Sequence, residues 1–563
     1  MPSPLAVSTV VLVLVLLALV AAGAVAVRAA LRHRSARRPT PEQRWRHFLA
    51  AVEPTLAASP RVHLVGAVPL QGDPATAARP LAVGIVVAGD DEAAIARTAA
   101  SIEAQTVAPT TVLAGTAADV VRQAQEAGDA PVVLVDAGDE LAPLALERLG
   151  QAWTLAPDLA VLTADEDHLD ADGARQGPLL RQGPSPDGQL ARGAAEGLVA
   201  LDPAHLPDAA AAAIAGGTGT RRLVATLAAG PDAAGHGHVP LLLLHRRAPL
   251  ARSWDAPWRP ADAEAAATAF GEPATAEAAP SGLVRVHYAL PATLPSIEVV
   301  VLFRDKPELT ERCVRSVLDA STYAGPLRVQ LVDNGSEDPG VPGMLERLTA
   351  DERVVTFRDD QPFNYAALNN AAVARSTADV VLLLNNDTAV RSPDWIEGML
   401  EHALRPSVGA VGVLLTYPDG TVQHAGAALG LHGYAGHPWQ GRRPDEATPL
   451  GAPGDGVRNW LAVTAACLMV RRDAWDAAGG FDEGFVVAGN DVDLCLRLTA
   501  SGRRSVCVPH VVLLHDESKS RGGYVDPGDF AASERSYGAF RTVGDPYFHP
   551  ALALDDSSVV LRS

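Results

Sequence analysis

The sequence predicts an α/β protein made of two successive sheet-forming units behind one apolar N-terminal segment. Three observations predict it. From Leu81 to about Pro249, short apolar runs (Leu81–Val87, Pro131–Val135, Leu159–Leu162) alternate with Ala-rich helical stretches. A second such pattern opens at Ile297 and runs to about residue 516. The stretch from Leu5 to Val27, 23 residues of Val, Leu and Ala broken only by Ser8, Thr9 and Gly23, carries no charge.

Composition narrows the function. With 563 residues, 48% hydrophobic and 20% charged, the chain is too apolar to be disordered. Four cysteines without CxxC spacing exclude a disulfide framework. Forty-six Lys and Arg against 66 Asp and Glu give −20, which argues against a nucleic-acid partner. Alanine is abundant and aromatics make up only 5%, so thin helical layers should cover the sheets.

In chain order, residues 1–28 read as a transmembrane anchor. At about 1.5 Å per residue the apolar stretch spans roughly 35 Å, enough for the hydrocarbon core of a bilayer. A cleaved signal peptide fits less well, because the stretch is long for one and no Lys or Arg precedes it. Arg28, Arg32, Arg34, Arg37 and Arg38 follow it, which places the long C-terminal portion in the cytoplasm and offers contacts to anionic headgroups. Residues 29–78, rich in Arg, Pro and Ala, read as a tether. The first α/β unit is set at 79–254, a linker rich in Ala, Pro and Glu at 255–293, the second unit at 294–525, and a polar tail with scattered aromatics at 526–563.

The chemistry-bearing residues gather in the second unit. Its first strand, Ile297–Phe303, leads to a helix for which Asp305 and Glu308 form a capping pair. The strand Leu327–Val332 ends in Asp333-Asn334-Gly335-Ser336, and Val380–Leu384 ends in Asn385-Asn386-Asp387. Polar groups just beyond neighbouring strand ends are where open α/β sheets bind ligands. No Gly-x-Gly-x-x-Gly and no Walker lysine loop is present, so dinucleotide and P-loop chemistry are disfavoured. Downstream, Ser392-Pro393-Asp394 supplies its own helix start, which leaves Asp387 on a short turn and able to hold a divalent cation. Mg²⁺ or Mn²⁺ is held in this way, by few protein oxygens completed by diphosphate and water. Gly489-Asn490-Asp491-Val492-Asp493 then opens a helix capped by Asn490. Asp493 has Arg497 four residues on as a local partner, whereas Asp491 has none and is the better candidate for chemistry. His515 follows 24 residues later.

In order, Pro362-Phe363-Asn364-Tyr365, Leu368-Asn369-Asn370, Leu384-Asn385-Asn386-Asp387, Ala462-Val463-Thr464-Ala465-Ala466-Cys467, Gly480-Phe481-Asp482-Glu483 and His515-Asp516-Glu517-Ser518 resemble the family 2 glycosyltransferases of GT-A fold, the Rossmann-like nucleotide-diphospho-sugar transferases. The likeness covers residues 297–522 and is nearest to bacterial rhamnosyl- and galactofuranosyltransferases of O-antigen and cell-wall assembly. The tail Asp545-Pro546-Tyr547-Phe548-His549-Pro550 also looks like the end of such proteins.

The resemblance implies an inverting, metal-dependent transfer of sugar from a nucleotide-diphosphate donor to a glycan or polyprenyl-linked acceptor at the membrane. It implies nucleotide contacts from Asp333, Asn369 and Asn386, Mg²⁺ or Mn²⁺ on Asp387 and His515, Asp491 as general base, and Trp460 on the acceptor side. Where the family often has Glu-Asp, this chain has Asn490-Asp491, so the preceding acid is missing. A non-catalytic scaffold of a glycan assembly complex is the alternative.

The first unit resembles an eroded copy of the second. Val135-Asp136-Ala137-Gly138-Asp139 looks like the strand-end acidic turn with one acid replaced by Gly138. Its nucleotide turn is reduced to Leu113-Ala114-Gly115-Thr116, and Thr220-Arg221-Arg222 stands where the base should be.

Overall fold

The computed structural model describes residues 39–64, 69–87, 91–127, 130–193, 198–215, 226–227, 230, 234–247, 258–454, 456–516 and 525–563. The expected anchor and Thr220-Arg221-Arg222 lie outside these residues. Among the described residues, no helix is long and apolar enough to cross a membrane.

Two large mixed sheets organise the described residues, beside three two-stranded ones. The first contains β1 (Ala82–Val86), β2 (Val112–Gly115), β3 (Val132–Asp136), β4 (Glu140–Leu141), β5 (Val161–Leu169), β6 (Leu198–Leu201) and β7 (His236–Arg247), in the order β2-β1-β3-β6-β5-β7-β4. The second contains β8 (Ile297–Phe303), β9 (Leu327–Asp333), β10 (Val354–Arg358), β11 (Val380–Leu384), β12 (Thr388–Val390), β13 (Val408–Thr416), β14 (Cys467–Arg471) and β15 (Arg504–His515), in the order β10-β9-β8-β11-β14-β13-β15-β12. Apart from β10, the orders correspond strand for strand. So do the directions: β1 is parallel to β2 and β3 as β8 is to β9 and β11, and β6 is antiparallel to β3 and β5 as β14 is to β11 and β13.

The central strands Val132–Asp136 and Val380–Leu384 are buried at every residue, as their unbroken apolar runs require in a sheet covered on both faces. The helix Pro307–Ala320 lays Cys313, Val314, Val317 and Leu318 onto the second sheet.

Several expectations give way. From residue 40 the expected tether is folded. Thr40 and Gln43 form a capping box for the helix Pro41–His47, and Trp45 and Phe48 are buried with their rings stacked 5.6 Å apart. Trp45 Nε1 donates to Arg175 O at 2.9 Å, so this segment packs on the first unit. The expected linker is likewise structure from residue 258. The helix Pro260–Ala269 and the hairpin of Ala274–Ala278 with Val284–Tyr288 put Ala263, Ala266, Ala267, Val286 and Tyr288 into the first unit's core. Alanine-rich sequence suits a flexible connection and a thin covering helix alike, and the stripe of small residues decides for the helix.

Asp305 does not cap. It and Lys306 have φ of 55° and 53°, and Asp305 Oδ1 accepts from the N–H groups of Glu337 and Asp338, fastening the loop beyond β9. Ser392 does not cap the helix Trp395–Ala403 either, because its hydroxyl accepts from Val512 N. Nor does Asn490 cap its helix: the N-cap is Gly489, with φ of 91°.

The units meet through buried charge. Asp187 of the first unit accepts from Arg504 Nε at 2.9 Å and from Asn459 Nδ2 at 2.7 Å, and it pairs with Arg405. All four side chains are buried.

Candidate active site

The carboxyl ends of β8, β9 and β11 converge on a cavity of about 590 Å³. Asn334, Asn385 and Asn386 reach it from the strand ends, Ala465 and Ala466 from the loop before β14, and Asp491 from the start of the helix Asn490–Ala500.

Asp387 and His515 are brought together by strand pairing. The β12–β15 ladder sets Thr388 opposite His515, which leaves His515 Nε2 3.2 Å from Asp387 Oδ1. His515 Nδ1 faces Gln423 Oε1 at 3.2 Å, so that nitrogen donates; in the neutral ring Nε2 then turns its lone pair toward the carboxylate. Asp387 Oδ1 is buried without a hydrogen-bond partner. Two lone-pair atoms face each other, an arrangement relieved by a proton or a cation between them. Ligand atoms about 2.1 Å from an octahedral cation stand about 3.0 Å apart when adjacent, so the pair fits a divalent ion. Neither side chain lines the main cavity, but Asn386, next in the chain to Asp387, does.

Asp491 and Asp493 leave the same helix turn in different directions. Asp491 lines the cavity, with Oδ2 accepting from Ala465 N at 3.0 Å. Asp493 is outside the cavity wall. It accepts from Arg497 Nε at 2.8 Å and from the Ser536 hydroxyl at 2.7 Å.

Asp333 accepts from Ser336 N and from Arg358 Nη1, both at 2.8 Å, and lines a neighbouring cavity of about 350 Å³. Its successor Asn334 faces the main one. Asn369 does not join the site: it is buried and donates to Tyr365 O one turn back in its own helix. Trp460 is also a correction. It is 1% exposed, packed edge-on against Trp439 with centroids 5.7 Å apart, and absent from the cavity wall.

The structure adds groups that sequence spacing missed. Tyr365 reaches the cavity with its hydroxyl 3.2 Å from Ala465 O, and the tail helix Pro527–Tyr537 contributes Phe530 and Ser533. His437 also lines it, its Nδ1 2.9 Å from that of His424. Burial, and then His437 and His515 nearby, hold His424 well below the ordinary imidazole range. Asn364-Tyr365 was a usable signal for the first of these; the tail helix carried none.

Matching hydrogen bonds fix the register between the copies. Leu141 N donates to Ser101 Oγ in the first unit as Val390 N donates to Ser316 Oγ in the second. Counting from this pair, Gly138 stands at the position of Asp387. The β4–β7 pairing of Leu244 with Leu141 then places Arg246 at that of His515. Arg246 Nη1 donates to Glu166 at 2.7 Å. The first copy has lost both candidate ligands.

The model of the family described as glycosyl transferase family 2 matches residues 298–446. An N-acetylglucosaminyl-diphospho-decaprenol L-rhamnosyltransferase of Mycobacterium tuberculosis is 31% identical over 261 residues, covering 42% of this chain and 80% of that protein. The chain belongs to the family 2 glycosyltransferases. An O-antigen biosynthesis protein, RfbC, of Myxococcus xanthus is 36% identical over 447 residues, 77% of this chain and 34% of its own length. The chain thus spans about a third of the first curated relatives it matches. A solved mannosyltransferase of Pyrobaculum calidifontis, in complex with GDP-Man and Mn²⁺, is 16% identical and covers 44% of this chain and 71% of its own. Its TM-score of 0.32 is too low to bear on function.

Proposed function

We propose that the second unit, read as a GT-A fold, transfers a sugar with inversion from a nucleoside-diphosphate donor to a hydroxyl of a cell-surface glycan or lipid-linked acceptor. The observation that carries this is the shared cavity. Asp491 and the Asn385-Asn386 turn line one space at the strand ends, and the Asp387–His515 pair adjoins that turn. The names of the O-antigen and rhamnosyltransferase relatives support the acceptor class.

Asp387 and His515 would hold Mg²⁺ or Mn²⁺, which supplies Lewis-acid neutralisation of the departing diphosphate. Asn385 and Asn386 orient the donor at the strand ends. Ala465 N–H pins one oxygen of Asp491, and the carboxylate takes the acceptor hydroxyl's proton as that oxygen attacks the anomeric carbon. The new C–O bond forms as the bond to the diphosphate breaks. A single displacement inverts the centre, with no carboxylate nucleophile.

The uncharged segment Leu5–Val27 and the arginines after it support a single-pass anchor with the catalytic unit in the cytoplasm. A reporter fused after Ser563 should be active only there, and periplasmic activity would overturn that orientation. The reaction is tested by incubating the chain with a panel of nucleotide sugars and a lipid-linked acceptor and weighing the products. An acceptor gaining one sugar is expected; no transfer from any donor would overturn the reading.

A further inference from the structure

The first copy lacks Asp387 and His515 but buries another set of metal-ligating groups. Asp165 on β5, His238 on β7 and His549 of the C-terminal segment are 0%, 1% and 2% exposed. His238 Nε2 is 3.3 Å from Asp165 Oδ1, and His549 Nε2 is 2.8 Å from Asp165 Oδ2. One ligand atom from each of the three residues lies within 4.8 Å of the other two. By strand register Asp165 occupies the place that Leu414 fills in the second copy, so a carboxylate replaces a leucine inside the sheet. An interior carboxylate is strongly disfavoured unless it is paired.

We infer that Asp165, His238 and His549 bind a divalent transition-metal ion of the Zn²⁺ class, which fastens the C-terminal segment to the first unit. Two imidazoles and a carboxylate are a donor set such ions favour. Ligands about 2.05 Å from a tetrahedral ion stand about 3.3 Å apart, the separation found between His238 Nε2 and Asp165 Oδ1. His238 Nε2 is buried facing Asp165 Oδ1, and its Nδ1 rests 3.0 Å from Thr163 Oγ, which orients the ring. His236 Nε2 is 2.9 Å from the same oxygen, so ligation through His238 Nε2 requires Thr163 to accept from both imidazoles.

His63 packs edge-on against His238, with centroids 6.4 Å apart. Its Nδ1 donates to Pro546 O, and its ring nitrogens lie outside the three-residue cluster, so a water would complete the ligand set. One contact must open. His549 Nδ1 accepts from Ala551 N at 3.0 Å, and ligation through Nε2 moves that ring's proton to Nδ1. Without metal the same contact makes His549 a simple donor to Asp165, which is the competing account.

The experiment uses the whole chain carrying Asp387→Asn, so that the other candidate cation position is disabled. After growth with Zn²⁺ and dialysis, elemental analysis should find about one equivalent of zinc. Adding His549→Gln should remove it, as should Asp165→Asn. Substituted Co²⁺ should give the absorption of a four-coordinate ion. Should those added substitutions prevent folding, the Asp387→Asn chain alone decides: a chelator should lower its thermal midpoint, and Zn²⁺ but not Mg²⁺ should restore it. A chain free of zinc, whose midpoint ignores the chelator, would overturn the inference and leave Asp165 held by hydrogen bonds alone.

Discussion

The two sheets share strand order, strand direction and a serine that pins the turn after the central strand, yet they differ where chemistry would occur. The second unit ends β11 in Asn385-Asn386-Asp387 and brings His515 across to it. At the same two positions the first unit has Gly138 and Arg246, and the guanidinium is bound to Glu166. Scaffold and site are therefore separable. A sheet keeps its register through backbone hydrogen bonds and buried aliphatics, which are indifferent to what its strand ends carry.

The largest expected contrast is between equivalent turns. Asp387→Ala should abolish divalent-stimulated transfer, whereas Asp136→Ala should leave it largely intact, measured as product formed with and without added Mn²⁺. Equal losses would mean that the first copy takes part in the chemistry and that the two turns are not functionally distinct.

Within the second copy, Asp491→Asn should lower turnover by about 10²-fold or more, the range for a lost general base, while calorimetry shows unchanged donor affinity. Lost donor affinity with normal turnover at saturation would instead make Asp491 a binding group.

These strand-end positions were legible in the sequence because each lies just after an unbroken apolar run, where chain order alone predicts a sheet edge. What was not legible depended on distant partners. Trp460 is indistinguishable in sequence from a surface aromatic, and Trp439 and the Gly426 backbone packed against its ring make it core. Asn369 lies in the Leu368-Asn369-Asn370 motif but bonds to its own helix. Thr40–Ala57 and Pro260–Tyr288 read as connections because alanine and proline mark loops and helix starts alike. Asp165 and His549 are 384 residues apart, beyond any local pattern.

The junction between copies tests whether the first is a structural support. Asp187→Asn leaves Arg504 and Arg405 buried beside a neutral group, though Arg405 keeps Glu272. Breaking such a pair costs about 3–5 kcal/mol. Chemical denaturation should show that loss, and unaltered stability would mean that the units are held by apolar contacts alone.

Acid should weaken the same junction. His510 on β15 is pushed down to about 2, by burial and then by Arg285, His402 and His287. Its folded value lies below the ordinary 6.5, so its contribution is present above that pH and lost as pH falls toward 2. At pH 5 the loss is about 2 kcal/mol. His510→Gln should therefore flatten the fall in stability between pH 6.5 and 5, and a parallel curve would show that His510 is not a source of it.

The smallest effect is expected two residues from the base. Asp493 is held by Arg497 at 2.8 Å and by the Ser536 hydroxyl, and the ion pair is partly exposed, at 33% for the arginine and 11% for the acid. Solvent screens such a pair, so it is worth up to about 1 kcal/mol. Asn at this position keeps an acceptor for Ser536 and loses the charge together with the oxygen that accepts from Arg497 Nε. Asp493→Asn should lower the melting temperature by about 2–4 °C and leave kcat and KM unchanged. The two aspartates begin one helix turn, and Asp491 faces the cavity while Asp493 faces Arg497 and the tail helix. If Asp493→Asn slowed transfer without lowering the melting temperature, orientation around that helix would no longer separate the base from the brace.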